Sequence, residues 1–115
     1  MPDINELTQI IANFRNARDW KQFHNPKDMA LSLMLEAAEV AEHFQWKNEA
    51  EMAAYIETNR GDIAEELADV FYWTLLMAHD FKIDLPASFL KKMEQNENKY
   101  PLEKARGVHT KYNKL

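Results

Sequence analysis

The 115-residue chain has no cysteine. That absence removes disulfides, thiolate metal ligands and thiol nucleophiles together, and it makes the cytoplasm the default compartment. Glycine and proline are scarce, with two and four residues. Average usage of the pair is about 12%, so a turn-rich β architecture is not expected. Positive charge is not in excess either: 14 Lys and Arg against 19 Asp and Glu leave a net charge of −5. Proteins that hold duplex nucleic acid by its phosphates carry the opposite balance. No apolar run approaches the roughly 20 residues that cross a bilayer. The opening Met-Pro-Asp-Ile-Asn-Glu lacks the basic and apolar regions of a secretory signal. What is present, 46% apolar and 29% charged residues, is the composition of a folded helical globule. So short a chain makes a small core, which oligomerisation can enlarge.

The patterning predicts five helical segments. Ile4, Leu7, Ile10, Ile11 and Phe14 recur at the spacing of one helix face, giving a first helix from about Asp3 to Arg18. Asn25-Pro26 signals the start of a second, from about Pro26 to Trp46. Lys47 to Gly61 reads as a polar connection containing a short amphipathic piece around Met52 to Ile56. Asp62 opens a further helix running to about Phe81. The last helix runs from about Ala87 to Lys99 and stops at Tyr100-Pro101. One domain over residues 1–101 is therefore expected, followed by a basic tail over 102–115 that is mobile or drapes over a partner.

Two acidic pairs stand out, Glu36-Ala-Ala-Glu39 in the second helix and Glu66-Leu-Ala-Asp69 in the helix opened by Asp62. Spacing i, i+3 sets both carboxylates of a pair on one face, where they repel unless a cation lies between them. Glu36, Glu39, His43 and Trp46 share one stripe, and Glu66, Asp69 and Trp73 share another. If the two helices pack antiparallel, four carboxylates converge. An all-oxygen donor set suits Mg²⁺ or Mn²⁺ and leaves coordination positions for phosphate oxygens. A carboxylate base could then activate water against phosphorus. From spacing alone, solvated helix faces are the simpler explanation of the same residues. A di-iron bundle is disfavoured, because Lys21, Val40, Leu76 and Arg106, not glutamates, precede the four histidines by three positions.

The two units, with 26 residues between Glu39 and Glu66, resemble the paired Glu-x-x-Glu and Glu-x-x-Asp motifs of the all-α MazG-like nucleotide pyrophosphohydrolases. The segments Arg18-Asp-Trp-Lys-Gln-Phe-His24-Asn-Pro26, Phe44-Gln-Trp-Lys47, Glu65-Glu-Leu-Ala-Asp-Val70, Ile83-Asp-Leu-Pro86, Lys92-Met93 and Asn96 through Tyr100-Pro101 narrow the likeness to the dCTP pyrophosphatase-like branch. The resemblance covers about residues 3 to 113. It implies an all-α bundle of about four to five helices whose four-helix core is completed by oligomerisation, as a dimer or tetramer. It also implies a Mg²⁺-dependent enzyme, Mn²⁺ being a possible substitute, that splits a nucleoside triphosphate between the α and β phosphates. Glu36, Glu39, Glu66 and Asp69 would hold the metal, and Glu36 or Glu39 would also position the attacking water. Trp20, His24 and Trp46 match positions near base and sugar, Trp73 an aromatic position beyond Asp69, and Lys92 and Asn96 polar positions offered to phosphate or sugar.

Several of these residues have simpler explanations. Trp20 and Phe23 would serve as a plug over the core, His24 as a loop histidine bonded to backbone, and His43 as a surface residue. dUTP or a phosphoribosyl nucleotide is the alternative substrate on the same fold. A noncatalytic helical oligomer that scaffolds another protein is the alternative outside enzymes.

Overall fold

The structure is a computed structural model describing all 115 residues, and every regular element in it is helical. Helix α1 spans Ile4–Ala17. It starts where the Asp3 carboxylate accepts from the Glu6 backbone N–H and Glu6 answers on the Asp3 N–H, a reciprocal cap that satisfies two otherwise orphaned donors. Ile4, Leu7 and Ile11 are half-buried, whereas Ile10 and Phe14 of the same face stay exposed. Helix α2 spans Pro26–Glu42, capped by Asn25 with Pro26 in the first turn, where its missing N–H costs nothing. The expected continuation to Trp46 does not form. After Glu42 the chain turns through Phe44 and Gln45, whose N–H groups both bond Ala41 O, and Trp46 takes φ 69°. A left-handed conformation costs a non-glycine residue roughly 1–2 kcal/mol and ends a helix firmly.

The larger departure lies in residues 47–61. In place of a polar connection with one short amphipathic piece, they form the first part of a single helix, α3, spanning Glu49–Asp80. Asn48 and Glu51 supply a second reciprocal cap. The expected break near Gly61 survives as a kink two residues earlier, at Asn59 with φ −124° and ψ 25°. There Asn59 Nδ2 donates to Tyr55 O, and Thr58 Oγ1 donates to Ala54 O and Tyr55 O. Side chains thus take up carbonyls that the helix ladder would otherwise use.

Residues Met1–Lys82 form one compact unit. Within it α2 and the second half of α3 run antiparallel: His24, before α2, lies beside Trp73, while Glu39, near its end, lies beside Glu66. Helix α1 packs on α3 as well, tied by Arg15, whose guanidinium donates twice to Asp80 at 2.7 Å. Arg15 is only 1% exposed and sits among the few fully buried side chains with Met29, Leu75 and Leu76. Burying that charge is tolerable because a carboxylate answers it in a two-pronged geometry. The pair holds the Asp80 carboxyl below its ordinary range, through the hydrogen bonds first.

Residues Ile83–Leu115 form a second compact unit. Helix α4, Leu85–Lys99, is capped by Asp84 with Pro86 in its first turn. The segment expected as a tail contains the short helix α5, Leu102–Ala105, and a single 3₁₀ turn at Tyr112–Lys114. Tyr112 returns to the end of α4, edge-on to Tyr100 with centroids 6.1 Å apart and beneath Lys99 Nζ at 4.8 Å. No helix of the protein is long and apolar enough to cross a membrane.

Candidate active site

The i, i+3 spacing of Glu36 and Glu39 and the antiparallel run of α3 bring carboxylates of two helices together. One oxygen each from Glu36, Glu39 and Glu66 lies within 4.8 Å of the others. Glu36 and Glu66 are half-buried, and the Oε2 atom of each is buried without a hydrogen-bond partner. Ionised carboxylates only accept, so three of them facing one another satisfy none. Either a proton or a cation must enter. Contact with Glu39 first, then burial and the charges of Glu39, Glu36 and Asp69, push the Glu66 carboxyl up to about 7. Glu36 is raised as well, by burial first and then by Asp69 and Glu39. The donor set is hard oxygen throughout, which fits a divalent cation such as Mg²⁺ or Mn²⁺ better than a soft metal.

Asp69 stands one turn beyond Glu66, close enough for its charge to act on both Glu36 and Glu66, but its oxygens lie outside the triad. It lines a neighbouring cavity of about 460 Å³ with Ile10, Ile11, Phe14, Trp20 and Tyr72. Trp20 meets Phe14 edge-on at 5.6 Å, so a largely apolar, aromatic-walled recess opens beside the carboxylates. Trp73 meets Tyr72 and His24 edge-on, at centroid distances of 5.1 and 5.3 Å. His24 Nδ1 is buried with no partner, so the backbone bond expected for a loop histidine is not made at that atom. Burial, followed by the charge of Arg15, lowers the His24 pKa. Phe23 is exposed and plugs nothing.

Trp46 is 91% exposed on the turn after α2. Lys92 and Asn96 belong to the second unit, on one face of α4, where Asn96 Nδ2 approaches Met93 Sδ at 3.9 Å. His43 departs from its expected surface position. It is half-buried, with Nδ1 2.5 Å from Tyr55 Oη and Nε2 3.8 Å from Glu66 Oε1. Its place four residues after Glu39 on one helix face was a usable sign of this. Tyr55 offered none, since it lies in the stretch read as a connection.

Fold and site together define an all-α protein whose two packed helices carry an oxygen-only carboxylate site. The model of the MazG-like family matches residues 31–115. Rat dCTP pyrophosphatase 1 is 37% identical over 99% of this chain and 68% of its own length, and the human protein of the same name is 36% identical over the same shares. A crystal structure of a pyrophosphatase from Archaeoglobus fulgidus DSM 4304 superposes with a TM-score of 0.83 at 36% identity, covering 88% of this chain and 94% of that one. The chain belongs to the MazG-like family.

Proposed function

We propose that this protein is a Mg²⁺-dependent nucleoside triphosphate pyrophosphohydrolase. Its substrate is dCTP or a related, possibly modified, deoxynucleotide, split between the α and β phosphates to give the monophosphate and pyrophosphate. That it is an enzyme of the nucleotide pyrophosphohydrolase kind follows from its family and from relatives named dCTP pyrophosphatase 1 at 36–37% identity over nearly the whole chain. The observation that carries the metal is the triad: three carboxylates within 4.8 Å, two of them with a buried unpartnered oxygen.

In this mechanism Glu36, Glu39 and Glu66, with Asp69 as fourth ligand, would hold the Mg²⁺, for which Mn²⁺ could substitute. When bound, that cation would supply charge neutralisation for the triphosphate and a lower barrier to attack on phosphorus. Glu36 or Glu39 accepts the proton of the attacking water, and the pyrophosphate group departs with the electrons of the broken P–O bond. Trp20 and Trp73 offer flat faces to the base, and His24 lies beside Trp73. Trp46, Lys92 and Asn96 reach the nucleotide in an assembly of at least two copies, each copy helping to close the site. Sanitation of the nucleotide pool is the corresponding role.

The test is a panel of deoxy- and ribonucleoside triphosphates with Mg²⁺, compared by kcat/KM. dCTP or a modified cytosine deoxynucleotide should lead. A clear preference for dUTP or a phosphoribosyl nucleotide reassigns the substrate, and no pyrophosphate from any member, with no Mg²⁺ binding by calorimetry, leaves only the scaffold alternative.

A further inference from the structure

His43 and Tyr55 are half-buried polar residues beside the triad that the proposed chemistry does not use. A phenol carries a donor that rotates to suit its partner, and an unprotonated imidazole nitrogen accepts. The 2.5 Å contact at Nδ1 is satisfied when Tyr55 donates, which leaves the single proton of the neutral ring on Nε2. At the far side of the ring, Nε2 faces Glu66 Oε1 at 3.8 Å. Were the proton on Nδ1, a bare lone pair would face the ionised form of that carboxylate instead. A phenol oxygen could also accept from Nδ1–H, but Tyr55 Oη makes no other side-chain hydrogen bond, so only donation to Nδ1 employs its proton, and the Nε2 end favours the same tautomer. The separation is too long for a hydrogen bond, so the Nε2–H dipole acts on Glu66 electrostatically. Tyr55 is itself held: Phe44 meets its ring edge-on at 6.3 Å and Lys47 Nζ lies 4.3 Å from the ring centroid.

We infer that Tyr55 and His43 are a positioning pair: Tyr55 fixes the His43 ring with its proton on Nε2, and His43 orients one oxygen of Glu66, leaving the unpartnered Oε2 for the cation. This rests on the triad being a cation site. Groups that support metal ligands from behind are typically worth about 10–100-fold in metal affinity or activity.

Two measurements test the pair. In the metal-free protein at a pH where imidazoles are neutral, ¹⁵N–¹H correlation spectra of the rings should show His43 with its proton on Nε2, and Tyr55→Phe should lose that preference. A wild-type proton on Nδ1 overturns the inference. Calorimetric titration with Mg²⁺ should then show Tyr55→Phe and His43→Leu binding about tenfold more weakly or worse. His43→Gln, whose amide can present an N–H in place of Nε2, should recover part of the loss. Melting curves confirm that each variant is folded; if Tyr55→Phe is not, the wild-type tautomer and the His43→Gln comparison decide. Unchanged affinity in the variants overturns the positioning role and leaves the cation site standing, whereas no Mg²⁺ binding by the wild type removes the cation site itself and the pair's role with it.

Discussion

Three carboxylates face one another on the two packed helices, and their crowding raises the Glu66 carboxyl to about 7. Between the ordinary glutamate value of 4.5 and about 7, the folded protein binds a proton at Glu66 that the unfolded chain has lost. Over that window the group makes metal-free stability fall as pH rises. Cation binding must displace the proton, so Mg²⁺ affinity should climb with pH until about 7 and level off above it. Calorimetry in buffers of different ionisation enthalpy should detect proton release on Mg²⁺ binding near neutrality. A pH-independent affinity with no proton release contradicts the protonated triad. Glu39→Gln and Asp69→Asn should each cut turnover by about two orders of magnitude or more while circular dichroism stays that of the wild type. Near-native rates from both would move the chemistry elsewhere. The pairs Glu36/Glu39 and Glu66/Asp69 were legible in the sequence because i, i+3 spacing is a local property of a helix; that Glu66 rather than Asp69 completes the triad depends on how α2 and α3 pack. His43 with Tyr55, and Arg15 with Asp80, were not, because each partner arrives from another element and nothing in local spacing announces it.

At the scale of elements, the caps written in the sequence did most of the placing. Asn25-Pro26 opens α2 and Asp84 with Pro86 opens α4, both close to their expected starts. The stretch 47–61 has the polarity of a connection, yet Asn48 and Glu51 cap a helix there that simply has much of its surface in water. Gly61 has the look of punctuation in the sequence, yet it lies inside α3, and a Cβ built there meets nothing within 4 Å. Gly61→Ala should therefore stabilise the protein by about 0.5–1 kcal/mol, read as a raised melting temperature. A lower one would mean that the glycine serves the kink at Asn59. The tie between α1 and the end of α3 predicts the opposite sign. Asp80→Asn strands the buried guanidinium of Arg15 and should cost about 3–5 kcal/mol in denaturant unfolding. Because this carboxyl is held below its ordinary 3.8 in the folded state, its contribution is complete above that value and is lost as pH falls through the lower folded value. Acid unfolding of the Asp80→Asn variant should accordingly lack part of the wild type's steepness below about pH 4.

For the whole molecule, the fully buried apolar core is confined to Ala12, Met29, Leu75, Leu76 and Ala78. Large apolar side chains meanwhile remain exposed in helical stripes: Leu31, Met34 and Leu35 on α2, Leu67 and Phe71 on α3, and Phe89, Leu90 and Met93 on α4. An average monomer does not leave so much apolar surface in contiguous turns of several helices. Sedimentation velocity should find a dimer or tetramer at micromolar concentration, and replacing Met34 and Leu35 by Glu should shift it toward monomer; a wild-type monomer contradicts the shared core. The all-α class was plain from composition, but the surface that remains for a partner was not, since only packing reveals which apolar faces stay uncovered. The carboxylate triad and the aromatic recess beside it bear on the one reaction proposed. Phosphorus NMR of dCTP incubated with the protein and Mg²⁺ follows it directly: dCMP and pyrophosphate should appear together in equal amounts and cease when EDTA is added, whereas dCDP with orthophosphate, or turnover indifferent to EDTA, would contradict a cation-dependent cleavage between the α and β phosphates.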